Sequence, residues 1–229
     1  MQKPWGIIFG GGIPSTALIL KCKEKGLTPD WIVYADTGSE HPEILSNVYQ
    51  VKEWCEGWVD VTILSQQESL HDYCIRTNTL PSKVLGYALC MMKWKKNPLD
   101  RWLKDKGYFD SGTIAVSYTK DTAHLLTKPC SRGDDPHLNF WYPLLEWDMD
   151  LAECELVCKS NGFHTRSSSC FICPNTDWGK LQKEHPDLYG IALELDKISA
   201  TGKTKLFDPL DVSKQSVLED RCRHSGCFH

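Results

Sequence analysis

Phe9-Gly10-Gly11-Gly12-Ile13-Pro14-Ser15-Thr16-Ala17-Leu18 joins a short apolar run to a segment of helical periodicity through three consecutive glycines. The run before it, Trp5 to Phe9, has the length and content of a buried strand. The segment after it reads as a helix from about Ser15 to Lys25, with Gly26 placed as a C-cap glycine. Glycines at such a junction let the backbone approach a ligand closely. The helix N-terminus adds unpaired N–H groups and the positive end of a dipole. Ser15 and Thr16 add hydroxyls, so the loop reads as an anion cradle suited to phosphates. Gly10, Gly11, Gly12, Ser15 and Thr16 are its candidate binding residues. No Lys-Ser/Thr pair follows the glycines, which excludes a Walker loop, and the G-x-G-x-x-G dinucleotide spacing is absent. The plain alternative is a tight strand-to-helix turn.

The same strand–turn–helix unit recurs downstream. Trp31 to Ala35 is a second apolar strand ending at Asp36, followed by a helix from about Pro42 to Glu56 and a third strand from Val59 to Leu64. Helical segments are expected at Leu99 to Asp105, Asp150 to Asn161 and Trp178 to Lys197, the last capped by Asp177, with a fourth strand at Gly112 to Ser117. Lys128 to His137 reads as a loop. Alternation of this kind predicts an α/β fold with a mostly parallel, doubly wound sheet. Ligands of such sheets bind beyond the carboxyl ends of the strands. That places Gly10–Ser15, Asp36–Glu40 and Ser117–Asp121 along one rim. The expected organisation is one domain over residues 1–208 and a polar tail over 209–229 carrying Cys222 and Cys227.

The 229 residues are 41% hydrophobic and 24% charged, which excludes a disordered or collagenous chain. A formal net charge of -4 argues against nucleic-acid or membrane binding driven by bulk charge and leaves room for a local basic groove. No apolar run is long enough to span a bilayer, and the first residues lack the pattern of a signal peptide, so a cytoplasmic protein is expected. Eleven cysteines in a reducing compartment point to metal or redox chemistry rather than to disulfides.

Three further segments carry chemistry. In Ala35-Asp36-Thr37-Gly38-Ser39-Glu40-His41-Pro42-Glu43, an Asp at a strand end followed by Thr-Gly can hold a hydroxyl or a magnesium ion beside the glycine loop. Its alternative is an ordinary capping loop. Cys90 is followed by Lys93, Lys95, Lys96 and Arg101, cations that lower a thiol pKa and can pair with phosphate or sulfate. A solvated basic helix face is the alternative there. Cys170-Phe171-Ile172-Cys173-Pro174 is a tight turn that presents two thiolates to one metal, with a proline where iron–sulfur sites often have one. Zinc through dispersed ligands and a redox-active dithiol are the competing readings.

Taken in order, these segments resemble the phosphoadenosine phosphosulfate (PAPS) reductase family of the adenine nucleotide α-hydrolase superfamily, and within it the compact members common in phages. The glycine loop is similar to the family's S-G-G-x-x-S pyrophosphate loop with Gly in place of the leading Ser. Lys95 to Leu103 resembles its K-x-x-P-L-x-x-x-L, and Tyr142 to Trp147 its N/Y-P-L-x-x-W. The resemblance runs from residue 5 to about 200. It implies an adenine nucleotide, PAPS or ATP, held by the glycine loop together with Asp36, Thr37, Gly38 and Lys120. It also implies an iron–sulfur cluster, 4Fe-4S in type, on Cys90, Cys170 and Cys173, with Cys154 a further candidate ligand. Magnesium is implied if ATP is the substrate.

The catalytic candidates are Asp36, Lys93 and Cys227. Cys227-Phe-His229 echoes the family's mobile E-C-G-L-H element, with a different spacing and without its Glu. The arginine pair that grips sulfonucleotide in reductases is replaced by Lys120 and His124. Two reactions follow from the resemblance. One is sulfonucleotide reduction with a thioredoxin-like reductant. The other is ATP-dependent activation and sulfur transfer from a sulfur donor, with a nucleic acid among the conceivable acceptors. A non-catalytic nucleotide-binding module with a structural metal, or a simple nucleotide hydrolase, stands as the alternative.

Overall fold

The computed structural model describes residues 3–80, 83–84, 87–88, 90–127, 138–173 and 176–198. Cys130, Pro174, Cys222, Cys227 and the expected tail 209–229 lie outside the described residues. In chain order, strand β1 (Trp5–Phe9) is followed by α1 (Ile13–Glu24), β2 (Trp31–Asp36), α2 (Pro42–Trp54), β3 (Val61–Ser65) and α3 (Leu70–Thr77). A two-residue hairpin, β4 (Lys83–Val84) and β5 (Tyr87–Ala88), leads into a π-helix (Met91–Lys96) that runs on as α4 (Asn97–Asp105). Then come β6 (Thr113–Ala115), a 3-10 segment (Lys120–Thr127), β7 (Asn139–Trp141), α5 (Pro143–Glu146), α6 (Leu151–Ser160), α7 (Trp178–Glu184) and α8 (Pro186–Ile198).

The main sheet has strand order β3-β2-β1-β6-β7, and every pairing in it is parallel. The chain therefore winds outward from β1 to β3 and returns to β1's other side with β6. The switch in direction falls beside the carboxyl end of β1, where the glycine loop begins. Period-two alternation assigns the faces. Ile7, Phe9, Ile32, Tyr34 and Ala115 pack with α1, α2 and α6, whereas Ile8, Trp31, Val33, Ala35 and Ile114 pack with Leu99 and Leu103 of α4. With both faces covered, the strands read as continuous apolar runs.

Several tryptophans close these layers. Trp5 meets Trp141 edge-on at 5.2 Å between ring centres, and Trp31 lies between Trp102 and Tyr108 at 5.6 and 5.8 Å. Gly6 sits opposite Trp31 in the β1–β2 register, and a Cβ there would fall 2.0 Å from the Trp31 ring.

The structure differs from the sequence expectations at several places, and the β4–β5 hairpin, the π-helix, the 3-10 segment and α5 are elements that the sequence did not lead one to expect. The expected helix Trp178 to Lys197 is two helices, because Pro186 cannot continue α7 and holds His185 in an extended conformation (φ −138, ψ 71). Helix α3 stands in a stretch read as polar; Ser69 caps it by accepting from the Asp72 N–H, and Asn78 closes it in the left-handed region. Strand β7, three residues long, falls where no strand was expected. Elsewhere elements agree within two or three residues, and α6 carries a full capping box between Asp150 and Glu153.

Gly6→Ala is expected to destabilise the protein by about 2–3 kcal/mol through overpacking against Trp31. Gly190→Ala in α8, where an added Cβ meets nothing within 4 Å, should leave stability unchanged or raise it by up to about 1 kcal/mol. Urea denaturation of both variants checks the contrast.

Candidate functional site

The glycine loop is held by its own hydroxyls and by two neighbouring segments. Gly11 has φ +78, and a Cβ there would strike Ile44 of α2 at 2.7 Å, so this position needs glycine on both counts. Ser15 Oγ accepts from the Gly10 N–H at 3.2 Å and donates to the Gly12 carbonyl at 3.1 Å, and Thr16 Oγ1 donates to the same carbonyl at 2.9 Å. Asn47 of α2 donates to the Gly11 carbonyl at 2.9 Å and to Thr16 Oγ1 at 2.8 Å. On the other side runs the segment after α6. Thr165 Oγ1 donates to the Gly11 carbonyl, the Ile13 N–H donates to the Arg166 carbonyl at 3.2 Å, and a Cβ on Gly12 would lie 2.6 Å from the Ser168 nitrogen.

The same segment continues across the end of β2. Cys170 forms an isolated antiparallel bridge with Glu40, and the Phe171 N–H donates to the Ser39 carbonyl at 2.9 Å. Asp36 Oδ1 accepts from the Gly38 N–H at 2.8 Å, which turns the chain so that Thr37 faces inward. Thr37 Oγ1 lies 3.1 Å from Glu40 Oε1 and 3.3 Å from Cys170 Sγ. The Cys173 N–H donates to the Cys170 carbonyl at 3.0 Å, the tight turn expected of the C-x-x-C pair.

Lys95 reaches this point from the π-helix. Its Nζ is 3.4 Å from Glu40 Oε1, and the two side chains are 11% and 1% exposed. Burial pushes the Cys170 thiol well above its ordinary value and Glu40 pushes it further; Lys95 and Thr37 pull it back. Burial likewise raises the Tyr34 hydroxyl, with Glu40, Asp36 and Cys170 adding to it. Cys90, Cys170 and their surroundings pack on an apolar cluster of Leu70, Cys74, Trp94, Phe171 and Ile172.

Polar atoms without partners concentrate here. Of the eight buried side-chain oxygens and nitrogens lacking a hydrogen bond among the described residues, seven belong to Tyr34, Glu40, His41, Glu43, Asn47 and Ser168, which surround the loop and the start of α2. Orphaned groups of this kind are rare in folded proteins.

No family profile matches the chain, and comparison with curated protein sequences gives no match. Among solved structures, the chain is similar to phosphoadenylyl-sulfate (PAPS) reductase from Candida auris in a phosphate complex. That similarity has a TM-score of 0.50 at 15% identity over 72% of this chain and 76% of the other. This is the PAPS reductase fold. The U34-tRNA thiolase NcsA from Methanococcus maripaludis, solved with its 4Fe-4S cluster, is similar at TM-score 0.49 and 14% identity, covering 93% of this chain and 77% of that one. The NH3-dependent NAD synthetase from Campylobacter jejuni is similar at 0.46 and 12%, covering 96% and 88%. No helix among the described residues is long and apolar enough to cross a membrane.

Within the PAPS reductase fold, the structure gathers Gly10, Gly11, Gly12, Ser15, Thr16, Asp36, Thr37 and Gly38 at the carboxyl ends of β1 and β2, as the sequence reading expected. Cys170 and Cys173 lie beside them, and Cys90 shares their apolar wall. Cys154 is elsewhere: it is fully buried in α6 in the core cluster that holds α1, and burial raises its thiol to about 12. Lys120 is occupied by Asp148 at 3.4 Å and Glu153 at 3.6 Å. Lys93 stands over the Tyr73 ring at 3.6 Å and lines a separate groove of about 690 Å³ with Trp94, Arg101 and Trp102 beyond β3.

The sequence reading missed Glu40, His41, Lys95, Arg166 and Ser168 as site residues. Glu40 and His41 lay inside a quoted motif. Lys95 stood in the basic run after Cys90, and what the sequence did not disclose is that the π-helix brings it to Glu40.

Lys95→Met should destabilise the protein by about 3–5 kcal/mol, because it leaves the Glu40 carboxylate buried and unpaired. Adding Glu40→Gln should recover part of that loss in a double-mutant cycle read by denaturation. In native protein free of metal, timed alkylation with mass spectrometry should label Cys90 and Cys173 before Cys22, Cys74, Cys154 and Cys158, whose thiols burial raises to about 12.

Proposed function

We propose that this chain is an enzyme that binds ATP through the glycine loop, activates an acceptor oxygen by adenylation and directs sulfur transfer to the carbon that bears it. The observation that carries the reading is the set of orphaned buried polar atoms on Tyr34, Asn47 and Ser168, which pack against the glycine loop, and the continuity of the segment after α6 with Cys170. The glycine backbone of the loop and the positive end of the α1 dipole would hold the phosphates and stabilise the charge that builds on departing pyrophosphate, while the Ser15 and Thr16 hydroxyls, which both donate to the Gly12 carbonyl, keep the loop in that shape. Ser168 Oγ and Tyr34 Oη, both buried without a partner beside the loop, would supply further donors. Asp36 is the carboxylate placed to share a magnesium ion carried by the nucleotide.

The acceptor oxygen attacks the α-phosphorus, and the bond to pyrophosphate breaks. A sulfide-class donor then attacks the adenylated carbon, and AMP leaves with the bonding electrons. Two features favour this reaction over sulfonucleotide reduction. Ser15 is present with both of its loop contacts, and the arginine pair that grips sulfonucleotide in reductases is replaced by Lys120 and His124.

The cysteines fit an iron–sulfur cluster. Cys170 carries a thiol that burial disfavours as a thiolate until a cation is bound, Lys95 offers a compensating charge, Cys173 lies one tight turn from it, and Cys90 packs on the same apolar cluster as Cys170. Cys90, Cys170 and Cys173 would hold the cluster, which supplies an iron able to carry sulfide when bound. Cys154, in a different core cluster, is not part of this set. A nucleic-acid acceptor would find Lys93, Arg101, Trp94 and Trp102 in the neighbouring groove.

Calorimetry on anaerobically purified protein tests the proposal. ATP with magnesium should bind more tightly than PAPS, Ser15→Ala should weaken ATP by about tenfold, and Gly12→Ala should abolish binding while the circular dichroism spectrum is kept. Iron and acid-labile sulfide should be present and should be lost in Cys170→Ser. Tight PAPS with weak ATP would establish a reductase instead, and binding of neither nucleotide would refute an enzyme of this class.

A further inference from the structure

On the outer side of the α2 start, away from the cysteines, four side chains converge from two parts of the chain. Glu43 lies in the first turn of α2, and His41 is the residue that caps it. Glu184 ends α7, and His185 is the extended residue between α7 and Pro186. One ligand atom each from Glu43, Glu184 and His185 lies within 4.8 Å of the others, with His185 Nε2 2.8 Å from Glu43 Oε1. Glu43 Oε2 is buried and has no partner.

His41 supplies the second, independent observation. Its side chain is fully buried, neither ring nitrogen has a hydrogen-bond partner, and its ring centre is 6.5 Å from that of His185. Two imidazoles on one tetrahedral ion have ring centres roughly 5–6 Å apart, given metal–nitrogen bonds near 2 Å. The observed 6.5 Å lies just outside that range.

The geometry points to a divalent transition-metal site of the zinc class formed by Glu43, Glu184, His185 and His41, separate from the cysteine site and independent of the nucleotide reading. Two imidazoles and two carboxylates suit zinc or cobalt, whereas magnesium prefers oxygen donors alone. The competing cations are Arg166, 4.0 Å from Glu184, and Lys180, 3.8 Å from it. Both are at the loose limit of an ion pair, so an ion held by four donors displaces them. Displacement releases the Arg166 guanidinium two residues from Ser168, beside the glycine loop. The ion would also pin the corner between α7 and α8 onto the helix whose Ile44 and Asn47 pack against that loop.

Cobalt titration of the full chain tests the site, with Cys170→Ser/Cys173→Ser protein alongside native protein so that thiolate binding is recognised by its near-ultraviolet charge-transfer band. The expected result is one Co²⁺ per chain with visible bands and no thiolate band in the Cys170→Ser/Cys173→Ser protein, unaffected by excess Mg²⁺, and the same ion in native protein with any thiolate-bound cobalt counted apart by its near-ultraviolet band. His185→Ala should lower its affinity at least about tenfold. Lys180→Met should raise it about fivefold by removing a positive charge from beside Glu184. Cobalt found only with thiolate bands, or affinity unchanged in His185→Ala, overturns the proposal. Should His185→Ala fail to fold, unchanged or weaker binding in Lys180→Met overturns it equally. Loss of ATP binding with cobalt binding intact would instead count against the nucleotide reading alone.

Discussion

The contact on which the site depends is the lack of any space between Gly12 and the backbone of Arg166 to Ser168. The Ile13 N–H spends itself on the Arg166 carbonyl, and a Cβ on Gly12 would stand 3.0 Å from that oxygen and 2.6 Å from the Ser168 nitrogen. The segment following α6 is thereby strapped to the mouth of β1. Because it then bridges Glu40 and Ser39 with Cys170 and Phe171, the same strap reaches the mouth of β2. One short run of extended chain sets the distance between a phosphate-type cradle and a pair of cysteines. A side chain at Gly12 would move both together.

A second constraint is electrostatic. Glu40 and Lys95 form a nearly dry pair, and such pairs contribute little net stability because desolvation offsets attraction. Their value lies in what they prevent. Without Lys95, the Glu40 carboxylate would stand alone beside Cys170 and oppose any thiolate there; with it, the local charge is balanced and a cation on the cysteines is tolerated. The Glu40 Oε2 atom, still without a partner, shows that the balance is incomplete in the chain by itself.

Much of this was legible in the sequence because it is local. The glycine loop, the Asp36 turn and the C-x-x-C turn are made by neighbours in the chain, and strand β1 to strand β3 announce themselves as apolar runs. The all-parallel sheet and the rim of site residues follow from that alternation. What the sequence did not disclose has two physical sources. Short elements such as β7 and α3 carry too few residues for a period to show, and they are held by partners distant in sequence. Contacts such as Lys95 with Glu40 and His185 with Glu43 join residues 55 and 142 positions apart, and no local pattern encodes them.

The π-helix shows how a small irregularity redirects chemistry. The cations after Cys90 alternate closely, so an ordinary α-helix would set Lys93 or Trp94 over the cysteine. Instead, the wider turn sends Lys93 onto the Tyr73 ring and the outer groove, and buries Trp94 with its indole N–H on the Glu68 carbonyl at 3.1 Å. Lys95 is left to face the strap. Proteins keep π-helices, which pack less well than α-helices, mainly where function needs a side chain re-aimed. Here the re-aimed side chain is a cation that pairs with Glu40 and pulls the Cys170 thiol back down.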